Sequence, residues 1–181
     1  MDERRSSAPL PPESEVFDVI DEHDRVVGRA LRSQVHGDPS LIHRVAHVLV
    51  FDSAGRLYLQ KRADDKDVQP GKWDTSVGGH VDAGEEYRDA AVREMREELG
   101  IDGVEPERLY RYLHSNDYES EMVTTYRVVW DGPIRPDPAE ISDGGFWELE
   151  RIDSTDRSVF TPNFLDELER YRAFDARPRS S

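Results

Sequence analysis

Residues 79–101, GHVDAGEEYRDAAVREMREELGI, hold the densest set of groups able to do chemistry. At about 100° per residue, Glu94, Glu97 and Glu98 fall along one stripe of a helix, because residues three and four apart are neighbours on its surface. Like charges at that spacing repel and destabilise the helix. A cation offsets the repulsion, and hard carboxylate oxygens suit Mg²⁺ or Mn²⁺. Such an ion neutralises phosphate oxygens and activates water, which is what cleavage of a diphosphate requires. Glu94 and Glu98 are the best ligands by position, with Glu97 beside them. Arg93 and Glu85 are read as a supporting charge pair that ties the preceding loop to the helix and aims the ligands. Gly78 and Gly79 let the backbone come close to a metal or phosphate, although a plain turn explains Gly78 alone equally well. The bland alternative is a solvated helix with i,i+4 pairs such as Arg93–Glu97, which needs neither the upstream Gly79 nor Glu85. The chain's three lysines, Lys61, Lys66 and Lys72, all lie in or beside the loop before this stretch. Arg62, Lys66 and Lys72 are therefore candidate phosphate contacts, weighed evenly against a solvated loop.

These groups have to be positioned by the rest of the chain. The acidic helix starts near Glu85 or Glu86 and stops at Gly100, with Val92, Met95 and Leu99 on a second face for burial. Residues 15–20 and 25–30 read as a hairpin around the turn 21–24, and residues 31–35 as a helical turn. Residues 43–51, HRVAHVLVF, read as a central strand buried on both faces. Residues 56–62 are expected to pair back on it across the turn 52–55. Residues 73–77, 109–114, 122–130 and 145–149 read as further strands, with a Pro-rich linker at 131–138. Thr161-Pro162 opens a last helix over 163–174. Mixed strands with a few helices give an α/β sandwich. It forms one domain over residues 15–174, between a polar, Pro-rich tail (1–14) and a frayed end (175–181).

The net charge of −15 argues against nucleic-acid binding through a basic surface. The absence of cysteine excludes disulfides, thiolate metal sites and a cysteine nucleophile. No apolar run approaches a membrane span, and the start is not a signal peptide. A cytoplasmic location and a small-molecule partner follow as expectations, with neither nucleic acid nor membrane. A homodimer stays open.

Gly79, Glu85, Arg93, Glu94, Met95, Glu97, Glu98, Gly100 and Ile101 match every fixed position of Gly-x5-Glu-x7-Arg-Glu-U-x-Glu-Glu-x-Gly-U, with U a bulky aliphatic residue. That string resembles the signature of the Nudix hydrolases. The resemblance implies a mixed sheet between helices, an α/β/α sandwich. It also implies Mg²⁺ or Mn²⁺ held by Glu94, Glu97, Glu98 and the carbonyl of Gly79. A glutamate such as Glu97 or Glu121 would act as base, with Glu119 and Glu140 as other candidates.

The string HRVAHVLVFDSAGRLYLQKRADDKDVQPGKWDTSVGGH is similar to one branch in particular, the isopentenyl-diphosphate isomerase-like proteins. That resemblance implies a second metal site of His36, His43, His80, Glu119 and Glu121. It also places Arg32, Arg62 and Lys66 where that branch binds diphosphate. His47 has no counterpart among the ligands and is read as packing or polar filling. The isomerase's catalytic cysteine is Gly78 here, and its tryptophan near the last helix is Asn163. Without a thiol, that route of proton transfer to and from an alkene cannot run. A hydrolase acting on a diphosphate is therefore expected ahead of an isomerase or a non-catalytic nucleotide-binding module.

Overall fold

A computed structural model describes residues 15–66 and 68–177, so the expected tail at 1–14 and residues 178–181 of the expected frayed end lie outside the described residues. Among the described residues, nine strands, four α-helices and a 3₁₀ turn (Arg157–Val159) follow one another. The first hairpin pairs β1 (Val16–Ile20) with β2 (Val26–Leu31), and a single helical turn, α1 (Arg32–Val35), follows. The central strand is β3 (Ile42–Phe51). Its whole length pairs in parallel with β8 (Ser120–Val129), which pairs antiparallel with β7 (Glu107–Ser115). The other edge of β3 is shared. The strand β6 (Val77–His80) covers Val45 to Val48, while β1 touches only Ile42.

The expectation that residues 56–62 pair back as the next strand holds only beside the turn. The strand β4 (Leu57–Arg62) meets β3 only at Phe51–Leu57, because β6 already fills that edge. The rest of it runs between β5 (Trp73–Asp74) and β9 (Ile141–Trp147). The expected strand at 73–77 is thus two short strands, β5 paired with β4 and β6 paired with β3. Ser76 staples the split: its hydroxyl donates to the Tyr58 carbonyl at 2.6 Å and accepts from the Val50 N–H at 2.9 Å. The expected strand at 145–149 is also corrected. It starts earlier, at Ile141, and Leu149 opens the short helix α3 (Leu149–Ser154).

Strand alternation gives the central layer two different faces. Ala46, Val48 and Val50 pack on Ala91, Met95 and Leu99 of α2 (Tyr87–Leu99). Leu49 and Phe51 pack on Phe164, Leu168 and Tyr171 of α4 (Pro162–Asp175). Helix α2 ends as its sequence predicts: Gly100 takes the left-handed conformation at φ 65°, and Ile101 N–H closes on the Met95 carbonyl at 3.2 Å. The linker after β8 completes that end, with Arg135 and Asp137 N–H donating to the carbonyls of Leu99 and Glu98. Thr161 caps α4 by accepting from Phe164 N–H at 3.1 Å, and its hydroxyl ties that end to Asp74 of β5 at 2.8 Å. Among the described residues no helix is long and apolar enough to cross a membrane.

Candidate active site

On the α2 face, Glu94 lies flat against the Gly79 backbone. A Cβ built at residue 79 would come 2.1 Å from the Glu94 carboxyl carbon, so only glycine admits the carboxylate there. Glu98 sits one turn on, and the Gln60 amide donates to it at 3.3 Å. Burial pushes both carboxyls up, Glu98 well above the usual range, and each adds to the cost of ionising its neighbours. Arg93 ties the loop to the helix as expected. Its guanidinium grips Glu85 through two bonds of 2.9 Å and donates to the His80 carbonyl at 2.9 Å and to Glu94 at 2.6 Å. Those bonds, Glu85 first, outweigh burial and hold Arg93 firmly protonated. Glu97 lies on the outer flank, 54% exposed and 3.4 Å from Arg93. The expected stripe of three carboxylates is thus two inward groups and one outward group.

One guanidinium, shared among four acceptors, does not balance these acids. The remaining negative charge, the oxygen donors and the bare backbone at Gly79 fit a hard divalent cation.

The α4 face carries nitrogen. His43 of β3 stands beside Glu121 of β8 in register, and His80 of β6 faces the same way opposite Val45. His36, just after α1, completes a trio whose ligand nitrogens lie within 4.8 Å of one another. Its Nε2 is 3.1 Å from Nε2 of His80 and 3.4 Å from a Glu119 oxygen. Glu121 is 3.8 Å from Nε2 of His43. The structure therefore gathers all five residues that the isomerase-like resemblance names. Burial holds His43 down at about 4 and His80 well below the ordinary imidazole value, and it pushes Glu121 up to about 7. Both ring nitrogens of His43 are buried without a partner. A buried imidazole kept neutral and left unpartnered fits a metal ligand.

His47, read from sequence as packing or polar filling, has a specific buried partner. Its Nδ1 is 2.8 Å from Glu167 of α4. Glu167 is fully buried and also takes hydroxyl bonds from Tyr110, Tyr112 at 2.7 Å and Thr125 at 2.9 Å. Burial opposes both charges, yet the pair's mutual bond and attraction raise the His47 pKa and lower that of Glu167. Glu167 was missed, although it interrupts the apolar stripe Phe164, Leu168, Tyr171, where a carboxylate needs a reason to be. A cleft of about 150 Å³ opens beside His47, walled by Gly78, Gln60, Thr75 and Asn163.

The basic candidates divide. Arg62 reaches this cleft, bonded to the Val68 carbonyl at 3.0 Å and to Asp74 at 3.4 Å. Arg32 pairs with Glu15 at 2.8 Å near the histidines. Lys66 pairs with Glu140, and Lys72 gives its carbonyl to the Arg62 N–H at 2.9 Å.

The NUDIX domain family model matches residues 41–168. The chain is 37% identical to an uncharacterized Nudix hydrolase of Streptomyces coelicolor over 88% of this chain and 90% of that one. It is 35% identical to an isopentenyl-diphosphate Delta-isomerase of Streptomyces avermitilis, covering 78% and 75%. The crystal structure of DR0079 from Deinococcus radiodurans aligns with a TM-score of 0.73 at 26% identity, covering 86% of this chain and 98% of that one. This chain belongs to the Nudix hydrolase family, close to its isopentenyl-diphosphate isomerase-like branch but without that branch's catalytic cysteine.

Proposed function

We propose that the chain hydrolyses a diphosphate linkage in a nucleoside diphosphate derivative or related small molecule, using Mg²⁺ or Mn²⁺ bound by Glu94, Glu98 and the Gly79 carbonyl, with Glu97 alongside. The observation that carries this reading is the Glu94 carboxylate packed on bare Gly79 with Glu98 buried beside it. The ion supplies charge neutralisation on the phosphate oxygens and acidifies water. Arg93, fixed by Glu85, holds Glu94 in place. Glu97 takes the proton of the attacking water, because it flanks the same side of the sheet. Glu121 faces the opposite side. Arg62 at the cleft is the best placed of the basic residues for a substrate anion, ahead of Arg32, Lys66 and Lys72.

His36, His43, His80, Glu119 and Glu121 support a second divalent site, favoured by the unpartnered nitrogens of His43. Gly78 and Asn163 still separate the chain from an isomerase.

A panel of nucleoside di- and triphosphates, sugar nucleotides, dinucleotides and prenyl diphosphates, assayed with Mg²⁺ for released phosphate or diphosphate, tests the proposal. Turnover lost in Glu98→Gln is expected. Isomerised product, turnover that survives Glu98→Gln, or tight binding with no turnover of any member overturns it.

A further inference from the structure

Glu167 is a large structural commitment for a residue outside the signature. It is a fully buried carboxylate on α4, held by three hydroxyls from β7 and β8 and by the His47 ring. Burying such a charge costs several kcal/mol before pairing, at about the scale of a domain's whole stability margin. Its visible effect is to aim one side chain. With Nδ1 held by Glu167, the Cδ2–Nε2 edge of His47 is turned to Gly78, where a Cβ would stand 3.2 Å from Cδ2 and 3.4 Å from Nε2. Nε2 makes no hydrogen bond among the described residues.

Other donors surround the same cleft. Thr75 is 5% exposed, and its hydroxyl is buried with no partner. Asn163 stands in the first turn of α4, where unpaired N–H groups give a partial positive charge. Arg62 adds a guanidinium. The carboxylates in the wall are already engaged. Asp74 takes the Thr161 hydroxyl, the Thr75 N–H and Arg62, while Glu121 leans to His43 at 3.8 Å.

We propose that this cleft is an oxyanion-binding subsite, in which His47 Nε2, the Thr75 hydroxyl and Arg62 hold a phosphoryl or carboxylate group of the substrate and Glu167 is the positioning residue for His47. It deepens the hydrolase reading and rests on it for the substrate. The subsite itself can be tested without turnover.

The experiment is a titration of the metal-free, ¹⁵N-labelled full chain with inorganic phosphate, and separately with acetate, read by long-range ¹H–¹⁵N correlation of the histidine rings. A saturable shift of His47 Nε2 is expected, with exposed His23 unmoved. Response to phosphate alone assigns a phosphoryl ligand, and response to acetate alone a carboxylate. Thr75→Val and His47→Phe should each weaken binding, the latter about tenfold for loss of a charge-assisted bond. Thr75→Val leaves the Glu167 network intact and guards against misfolding. Glu167→Gln should free the ring and change the ratio of its two nitrogen shifts. Glu98→Gln should bind phosphate as the wild type does even though hydrolysis is lost. A silent His47, unchanged affinity in both cleft variants, or phosphate binding abolished by Glu98→Gln overturns the subsite while leaving the hydrolase reading to its own assay.

Discussion

The two faces of the central layer solve different problems with the same strands. On the α2 side the donors are oxygens from a helix, set three and four residues apart and steadied by one arginine. On the α4 side they are mostly nitrogens from strands, with His43 and His47 four residues apart on β3, His80 on β6, and Glu121 matched by register on β8. The backbone of Gly78 and Gly79 in β6 lies between them. Residue 79 turns to Glu94 and residue 78 to His47. Helical spacing concentrates like charge and so calls for a cation. Strand spacing lets neutral imidazoles and acids from several segments meet, and a buried partner can then be assigned to each.

The sharpest way to break that comparison is on the α4 side. Glu167→Ala leaves His47 and three hydroxyls unpaired, and removal of one partner of a buried pair costs about 3–5 kcal/mol. The melting temperature should fall by roughly 10 °C. Mg²⁺ binding to the surviving folded protein, read by calorimetry, should be unchanged. Gly79→Ala attacks the other side. The new methyl displaces Glu94, and kcat/KM should fall about 100-fold, on the scale of a lost metal ligand or its support, while the His47 ring signals stay put. Arg93→Lys is milder. Lysine cannot reproduce the forked grip on Glu85, so about a tenfold loss in metal affinity or activity is expected. The smallest effect concerns pH. Glu121 is raised from 4.5 to about 7 in the folded chain. Between those values the folded state holds a proton that the unfolded state has released. Stability from this group is therefore present below the lower value and lost as pH rises through the upper one. In metal-free urea titrations, Glu121→Gln should gain on the wild type across that window and hold a constant difference above it.

The sequence made one side far more legible than the other. A helix repeats by a fixed rotation, so Arg93, Glu94 and the stop at Gly100 could be placed from spacing, and the hairpin and the last helix followed from turn and cap chemistry. Glu97 pointed outward because the stripe is wider than one groove. Adjacency in sequence favoured a longer β3–β4 ladder than the single pair that forms, while β6, four residues long and half glycine, carries no periodic signal of its own. The His47–Glu167 contact joins residues far apart in the chain. The clue was local all the same: a glutamate inside an apolar stripe, and a histidine two pleats from another on the same face.

The close approach of Gly78 to the His47 ring also limits what residue 78 can carry. A thiol placed at residue 78 alone would press its Cβ to within 3.2 Å of that ring. Replacing His47 by serine would clear the space. With His47 in place, a side chain at residue 78 is accommodated only if the ring gives by a few tenths of an ångström. Gly78→Cys and His47→Ser/Gly78→Cys should therefore be unequal in stability, with the double substitution the less stable of the two, because it strips the buried Glu167 of its imidazole partner.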